Sequence, residues 1–228
     1  ANGAYLITGF VRQAIGGRRL MWMKLSANGL FDPMNFRSLT SNAYGVSILE
    51  GSEGNHFITG YRDSSLFLNK LDDSGGLLWQ LQFPDTYENR LASLVKNERG
   101  HLFVLGTKKQ ISKNVLLLEI DEQRNIIIEL EYGTNSMDEL GVAIAPTFDN
   151  AYVMLFGSST PEGTDTQISK ISDKGDEIWS LTFANASLAN PNVILAAQEY
   201  GFAFLSQLET NGVYSYRLIK TDANGKTQ

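Results

Sequence analysis

Apolar residues along this chain come in short runs that alternate with polar positions and end at glycine, a spacing that predicts strands and not helices. The run is seen at Tyr5-Leu-Ile-Thr-Gly9, His56-Phe-Ile-Thr-Gly60, Leu102-Phe-Val-Leu-Gly106 and Val153-Met-Leu-Phe-Gly157, and in degenerate form at Phe202-Ala-Phe-Leu-Ser206. Its steps are 51, 46, 51 and 49 residues. A second run follows each first one, at Met23-Lys24-Leu25-Ser26, Asn69-Lys70-Leu71-Asp72, Leu118-Glu119-Ile120-Asp121, Ser169-Lys170-Ile171-Ser172 and Ile219-Lys220-Thr221-Asp222. A period near fifty residues identifies a repeat protein, in which each repeat is one supersecondary unit.

Three residues beyond each closing Ser or Asp stand Gly29, Gly75, Arg124, Gly175 and Gly225. An Asp or Ser that bonds its own backbone, with a glycine three positions on to accept positive φ, predicts a tight hairpin with a bulge. At the third copy Arg124 replaces the glycine, and the adjacent Asn125 is the residue expected to take the left-handed position. Four residues past the turn glycine stand Trp79 and Trp179, with Ile128 in the third copy and Pro33, between Phe31 and Met34, in the first. A small-residue strand closes each repeat, at Val46 to Leu49, Ala92 to Val95, Ala143 to Pro146 and Val193 to Ala196. Leu91 to Asn97 also fits a helix, and the repeat decides it as a strand.

These residues carry a resemblance. The whole chain resembles bacterial extracytoplasmic β-propeller repeats, which run Gly-Gly-Tyr-Ile-x-x-Gly and then Lys-Leu-Asp-x-x-Gly-x-x-x-Trp. The best match is Tyr152 to Trp179, with Lys170-Ile-Ser-Asp-Lys-Gly-Asp-Glu-Ile-Trp179, and Glu131 to Leu140 leads into the small strand that precedes it. The spacing is also similar to the tryptophan-docking motif of quinoprotein-type propellers, although the turn is one residue shorter and Lys70 or Lys170 stands where that motif has a small residue. The cofactor site of those proteins includes vicinal cysteines, which this chain lacks, so no cofactor and no catalytic residue follow from the likeness.

The resemblance implies an all-β fold, a β-propeller of four-stranded antiparallel blades with the small strand innermost and the Trp strand outermost. Counted so, one domain over 1–228 holds repeats at approximately 1–51, 52–98, 99–148, 149–198 and a partial 199–228. The expectation is about five blades, the first lacking its inner strand and the last its outer strand, with eighteen strands in all. Open sheet edges invite association, so a longer chain, a gap or a partner is expected to deal with the two missing strands.

Composition narrows the function. The chain has 228 residues, no cysteine, 19 Lys and Arg against 25 Asp and Glu, and a net charge of −6. Absence of cysteine excludes a disulfide scaffold, a thiolate nucleophile and a Cys-ligated metal. The acidic balance, with no basic run, argues against a nucleic-acid partner. No apolar stretch approaches the roughly 20 residues of a membrane-spanning helix. The first residues already read as a strand, and no leader is expected there.

Candidate chemistry is sparse. His56 and His101 fall near corresponding points of successive repeats, but His56 aligns with Tyr5, Leu102, Val153 and Phe202, a position defined by bulk, so no metal site is expected. Asp72-Asp73-Ser-Gly-Gly, Ser172-Asp-Lys-Gly-Asp176 and Asp222-Ala-Asn-Gly225 lack the alternating acids and distal bidentate acid of a calcium loop and read as hairpin turns. Asp138 and Glu139 are adjacent acids with no sign of a shared pocket. Lys24, Lys70, Lys170 and Lys220 recur faithfully and are expected to lie over apolar surface and pair with an acid of a neighbouring blade. Trp79 and Trp179 are expected to anchor blades, whereas Trp22 falls outside their register. Asn185-Ala-Ser187 is a lone glycosylation sequon.

The expectation is therefore a non-catalytic binding or scaffold module for protein–protein interaction or assembly, extracytoplasmic (periplasmic, cell-surface or secreted), in a bacterial cell envelope. The alternative is a carbohydrate-binding propeller with a glycan held by loop aromatics such as Tyr61, Tyr87 and Tyr214. An enzyme with its site at the axial mouth ranks third, since it needs acids from at least three blades. No catalytic, metal-binding or cofactor-binding residue is assigned.

Overall fold

The computed structural model describes residues 3–14, 16–63, 65–84, 87–134, 136–160, 163–184, 187–188, 194–196, 201–210 and 213–227. It divides into two compact units, Ala1–Leu94 and Val95–Gln228. Both are all-β and antiparallel, with nineteen strands and no α-helix among the described residues.

In the first unit β1 (Tyr5–Arg12), β2 (Arg18–Leu25) and β3 (Phe31–Ser41) pair in chain order. Next come β4 (Ala43–Glu50), β5 (His56–Arg62), β6 (Ser65–Leu71) and β7 (Leu77–Gln82), again in chain order. β8 (Tyr87–Lys96) begins in this unit, and one bridge, Ser65 opposite Glu88, ties it to β6. The segment open to a helical reading, Leu91 to Asn97, is thus strand through Lys96.

In the second unit the order is β8, β9 (Leu102–Lys109), β10 (Lys113–Ile120) and β11 (Ile126–Tyr132). A four-stranded sheet follows, β12 (Glu139–Pro146), β13 (Tyr152–Thr160), β14 (Gly163–Ile171) and β15 (Glu177–Phe183). In the last group both β16 (Ser187–Leu188) and β17 (Ile194–Ala196) pair with β18 (Phe202–Thr210), which pairs with β19 (Val213–Thr221). The strand expected over Val193 to Ala196 is therefore seen from Ile194, and Val193 lies outside the described residues. Thr227 forms a single bridge with Thr221 beyond β19.

The five turns that the sequence repeats have one geometry. The amide of Gly29, Gly75, Arg124, Gly175 or Gly225 donates to the carbonyl of Ser26, Asp72, Asp121, Ser172 or Asp222 at 2.9–3.1 Å. In each, the Ser or Asp side-chain oxygen also accepts an amide four residues on, as Asp72 Oδ1 does from Gly76 at 2.7 Å and Ser172 Oγ from Asp176 at 3.1 Å. The register slips at Lys70/Leu71, Glu119/Ile120 and Lys170/Ile171 are the bulges that this turn requires. Arg124 itself has φ of 77°, correcting the expectation that Asn125 would take that role. Asn125 instead holds the turn by donating its side-chain amide to Asp121 Oδ2 at 2.7 Å.

Glycine at the turn serves packing as well as φ. A Cβ on Gly175 would lie 2.3 Å from Leu130 Cδ1 of β11, and one on Gly75 2.4 Å from the Trp22 ring of β2. The turn of one sheet thus seats on the preceding sheet within each unit, and a side chain there would part the two. Trp22, set outside the register of the other tryptophans, is the fully buried one, in a core with Leu20, Ala43, Ile58, Phe67 and Leu71. The second unit has its own core around Phe103, Leu117, Ile144, Met154 and Ile171. β6 and β10 are buried on both faces, which explains their unbroken apolar runs, whereas β11 and β15 alternate toward solvent.

Candidate functional site

Three hairpin ends of the first unit converge: the β1–β2 loop with Gln13, Gly16 and Gly17, the β3–β4 turn at Asn42, and the β5–β6 turn at Asp63. They line a cavity of about 810 Å³ together with Arg12, Arg18, Tyr44 and Tyr61. The cross-strand registers place these side chains. Tyr44 lies directly opposite Tyr61 in the β4–β5 ladder, and Arg12 directly opposite Arg18 in the β1–β2 ladder. Asn42 and Asp63 hold the left-handed conformation that tight turns favour, with φ of 54° and 50°.

The wall of the cavity is an aromatic stack. Tyr44 and Tyr61 stack with centroids 4.4 Å apart and planes 13° from parallel, and Phe10 tilts onto Tyr44 at 5.0 Å. The Arg18 guanidinium sits over Tyr44 at 4.9 Å and over Phe10 at 5.3 Å, a double cation–π contact that fixes its plane. Arg62 approaches Asp63 only to 4.0 Å, with both side chains open to solvent, so that pair contributes little. Among the described residues neither Arg12 nor Arg18 has a carboxylate within ion-pairing distance.

A second cavity, of about 250 Å³, lies at the other end of the same strands beside Lys24, Glu50, His56 and Asp73. Lys24 Nζ donates to Asp73 Oδ1 at 2.9 Å and holds that carboxyl below its ordinary value. Burial lowers the His56 pKa, partly offset by the Asp72 carbonyl 3.3 Å from Nδ1. His101, in the second unit, donates Nδ1–H to Glu119 at 2.9 Å. Among the described residues no three His, Asp or Glu side chains gather as a metal site would need.

The remaining sequence candidates serve the fold. Asp72 is spent on the Ser74 hydroxyl and the amides of Ser74 and Gly76, and these bonds lower its pKa, the hydroxyl most. Asp138 accepts the Lys113 amide at 2.9 Å, while Glu139 is buried against Thr134 and burial raises its pKa. Lys24 reaches the next sheet's Asp73, as the repeat implied, but Lys170 bonds Asp149 of its own sheet at 2.6 Å, and Lys70 lies 5.4 Å over the Phe57 ring of its own. Trp179 packs on Phe202 of the following sheet at 6.0 Å, and Trp79 on Phe57 of its own sheet at the same distance. Tyr61 stands in the cavity. The side chains of Tyr87 and Tyr214, and Asn185 of the sequon, lie outside the described residues.

Sequence reasoning missed Phe10, Arg12, Arg18 and Tyr44. A signal was present: the residue after the strand-ending glycine is Phe10 or Tyr61 in the first two repeats but Thr107 or Ser158 in the next. The two arginines flank a Gly16-Gly17 loop tip, so the hairpin itself brings them together.

Comparison with known proteins bears on the fold alone. No family model matches the chain, and no curated protein matches it. Among solved structures, Drosophila semaphorin 1b, extracellular domains 1–2, aligns over 97% of this chain and 52% of its own, with 8% identity and a TM-score of 0.58. A protein of unknown function from Dyadobacter fermentans aligns over 99% and 81%, with 9% identity and a TM-score of 0.57. A Hadza microbial sialidase aligns over 93% and 53%, with 11% identity and a TM-score of 0.57. The chain thus spans about half the length of the semaphorin and the sialidase. It is an all-β protein of antiparallel sheets whose structural neighbours are propeller-like folds. Among the described residues no helix is long and apolar enough to cross a membrane.

Proposed function

We propose that this chain is a non-catalytic, extracytoplasmic β-propeller module that binds saccharide at the cleft of Tyr44, Tyr61 and the two arginines. The propeller reading draws on the fifty-residue repeat, on strands that pair in chain order within β1–β3, β4–β7, β8–β11 and β12–β15, and on propeller-like neighbours. The binding reading rests on one observation, the open aromatic stack with polar groups converging on it. Sugar rings present C–H faces to aromatic rings and hydroxyls to amide and carboxylate groups, which Gln13, Asn42 and Asp63 supply. A cavity of this size falls in the range of small-ligand sites.

A glycan array probed with the wild-type chain and with Tyr61→Ala tests this. A restricted set of glycans should bind, and the variant should weaken binding about tenfold, the worth of one stacked ring. An empty array, or binding indifferent to Tyr61, rejects the reading. Turnover of a bound glycan rejects the non-catalytic part.

A second reading, protein docking, is favoured by the exposed Leu30 and Phe31, which line a hollow of about 400 Å³ at the β2–β3 turn, and by the exposed Met34 nearby in β3. The related fold of semaphorin 1b has been solved with plexin A as a protein partner. Photo-crosslinking from position 31 in a cell-envelope fraction would reveal such a partner, and a clean blank would dismiss it.

A further inference from the structure

The cleft carries a charge arrangement that the fold alone does not explain. Like charges directly opposite in an antiparallel ladder oppose pairing, yet Arg12 and Arg18 are direct partners at the end of β1 and β2. The chain as a whole is acidic, at −6, and still places Arg12 and Arg18 around one cavity with Asp63 as the acid beside them. Lys108, in contrast, lies between Glu129 and Glu131 at 2.8 and 2.7 Å. We infer that the cleft binds a carboxylate-bearing saccharide, a hexuronate, whose carboxylate is taken by the Arg12 and Arg18 guanidinium groups while its ring lies against the Tyr44–Tyr61 stack. This rests on the saccharide reading of the same cleft and names its ligand class.

The chemistry is specific. A guanidinium presents its donors as a planar fork that fits a carboxylate bidentately. Arg18 keeps that fork oriented because two ring faces already hold it, and Gly16 and Gly17, both at positive φ, add no side chain of their own to the cavity they line. The bound anion would relieve the repulsion between the two arginines, so the ligand replaces a cost present in the free protein. Asp63, on the same cavity, is the acceptor left for the ligand's hydroxyls and disfavours a ligand charged all round its ring.

Isothermal titration with the tetramers of galacturonate, glucuronate and mannuronate, each beside its full methyl ester, tests the assignment. At least one free acid should bind, at least tenfold more tightly than its ester, and the affinity should fall as salt is raised. Arg12→Gln should weaken that acid at least tenfold with melting unchanged, and Arg12→Lys should restore only part, since a point charge cannot replace the fork. Should the variants melt early, the acid-to-ester ratio on the wild-type chain decides instead. Esters that bind as well as the acids, with dependence on Tyr61, would overturn the carboxylate assignment and leave the saccharide site standing. No binding by any acid, while neutral glycans bind at Tyr61, does the same. No binding by any saccharide would remove both.

Discussion

The two units treat the residue after the strand-ending glycine in opposite ways. In the first it is Phe10 or Tyr61, both packed on Tyr44, with Tyr61 lining the open cleft. In the second it is Thr107 or Ser158, both buried, the first accepting the Gly141 amide and the second the Gln167 side-chain amide. The second unit also resolves its charges inward. Glu119, almost fully buried, accepts from Asn97, Arg99 and His101 at once. In the next sheet the same two positions carry Asp149 and Lys170, with the charges exchanged and the pair kept. These two sheets therefore share a geometry, an ion pair between the turn before the second strand and the end of the third, with the signs exchanged. The second unit thus spends these polar groups on bonds within and between its sheets, whereas the first gathers an aromatic stack and, among the described residues, two arginines without a carboxylate partner at one end.

The comparison can be broken most sharply at Glu119. Glu119→Lys sets two cations at a buried position and should lower stability by about 3–5 kcal/mol, measured by urea unfolding. Adding Arg99→Asp rebuilds the arrangement of the next sheet and should recover at least half of the loss; no recovery would show that the pair is not interchangeable. Thr107→Tyr, which gives the second unit the residue of the first, should cost about 1–3 kcal/mol because the buried site is already filled. An unaffected melt would mean that the second unit has room for a cleft of its own.

A smaller effect is expected at Lys170. Lys170→Met should cost only about 0.5–1 kcal/mol, because Asp149 remains half in water. Its pH dependence has a defined sign. The bond from Lys170, and next that from Thr147, hold the Asp149 carboxyl below its ordinary 3.8. The native state then binds fewer protons than the unfolded chain, so the stabilisation is present above pH 3.8 and is lost as pH falls through the native value. The variant should flatten that acid limb in thermal melts between about pH 2 and 5. Smallest of all, Arg12→Glu should raise the stability of the free protein by about 0.2–1 kcal/mol by turning a like-charge pair into an ion pair.

Much of this architecture was legible in the sequence because turns are local. The (Asp/Ser)-x-x-Gly spacing marks four of the five hairpins, and the exception at Arg124 keeps the geometry, since the Asp121 side chain still gathers the following amides. Trp22 was not legible as a core residue, because its burial depends on Gly75 of the next repeat coming down on its ring. The cleft was half legible. Tyr61 stood out as a loop aromatic, but Tyr44 meets it only through a register set by the bulge between Gly45 and Ser47, which no local pattern announces. Arg12 and Arg18 were hidden in a chain whose overall charge points the other way.

Amide chemical shifts of the labelled protein, followed while a tetra-uronate selected by titration is added, probe the difference between the units at every residue together. The account predicts shifts at residues 12–18, 42–44 and 61–63, with residues 106–114 of the second unit still. Shifts centred on the second unit, with the arginine and tyrosine amides unmoved, would contradict it.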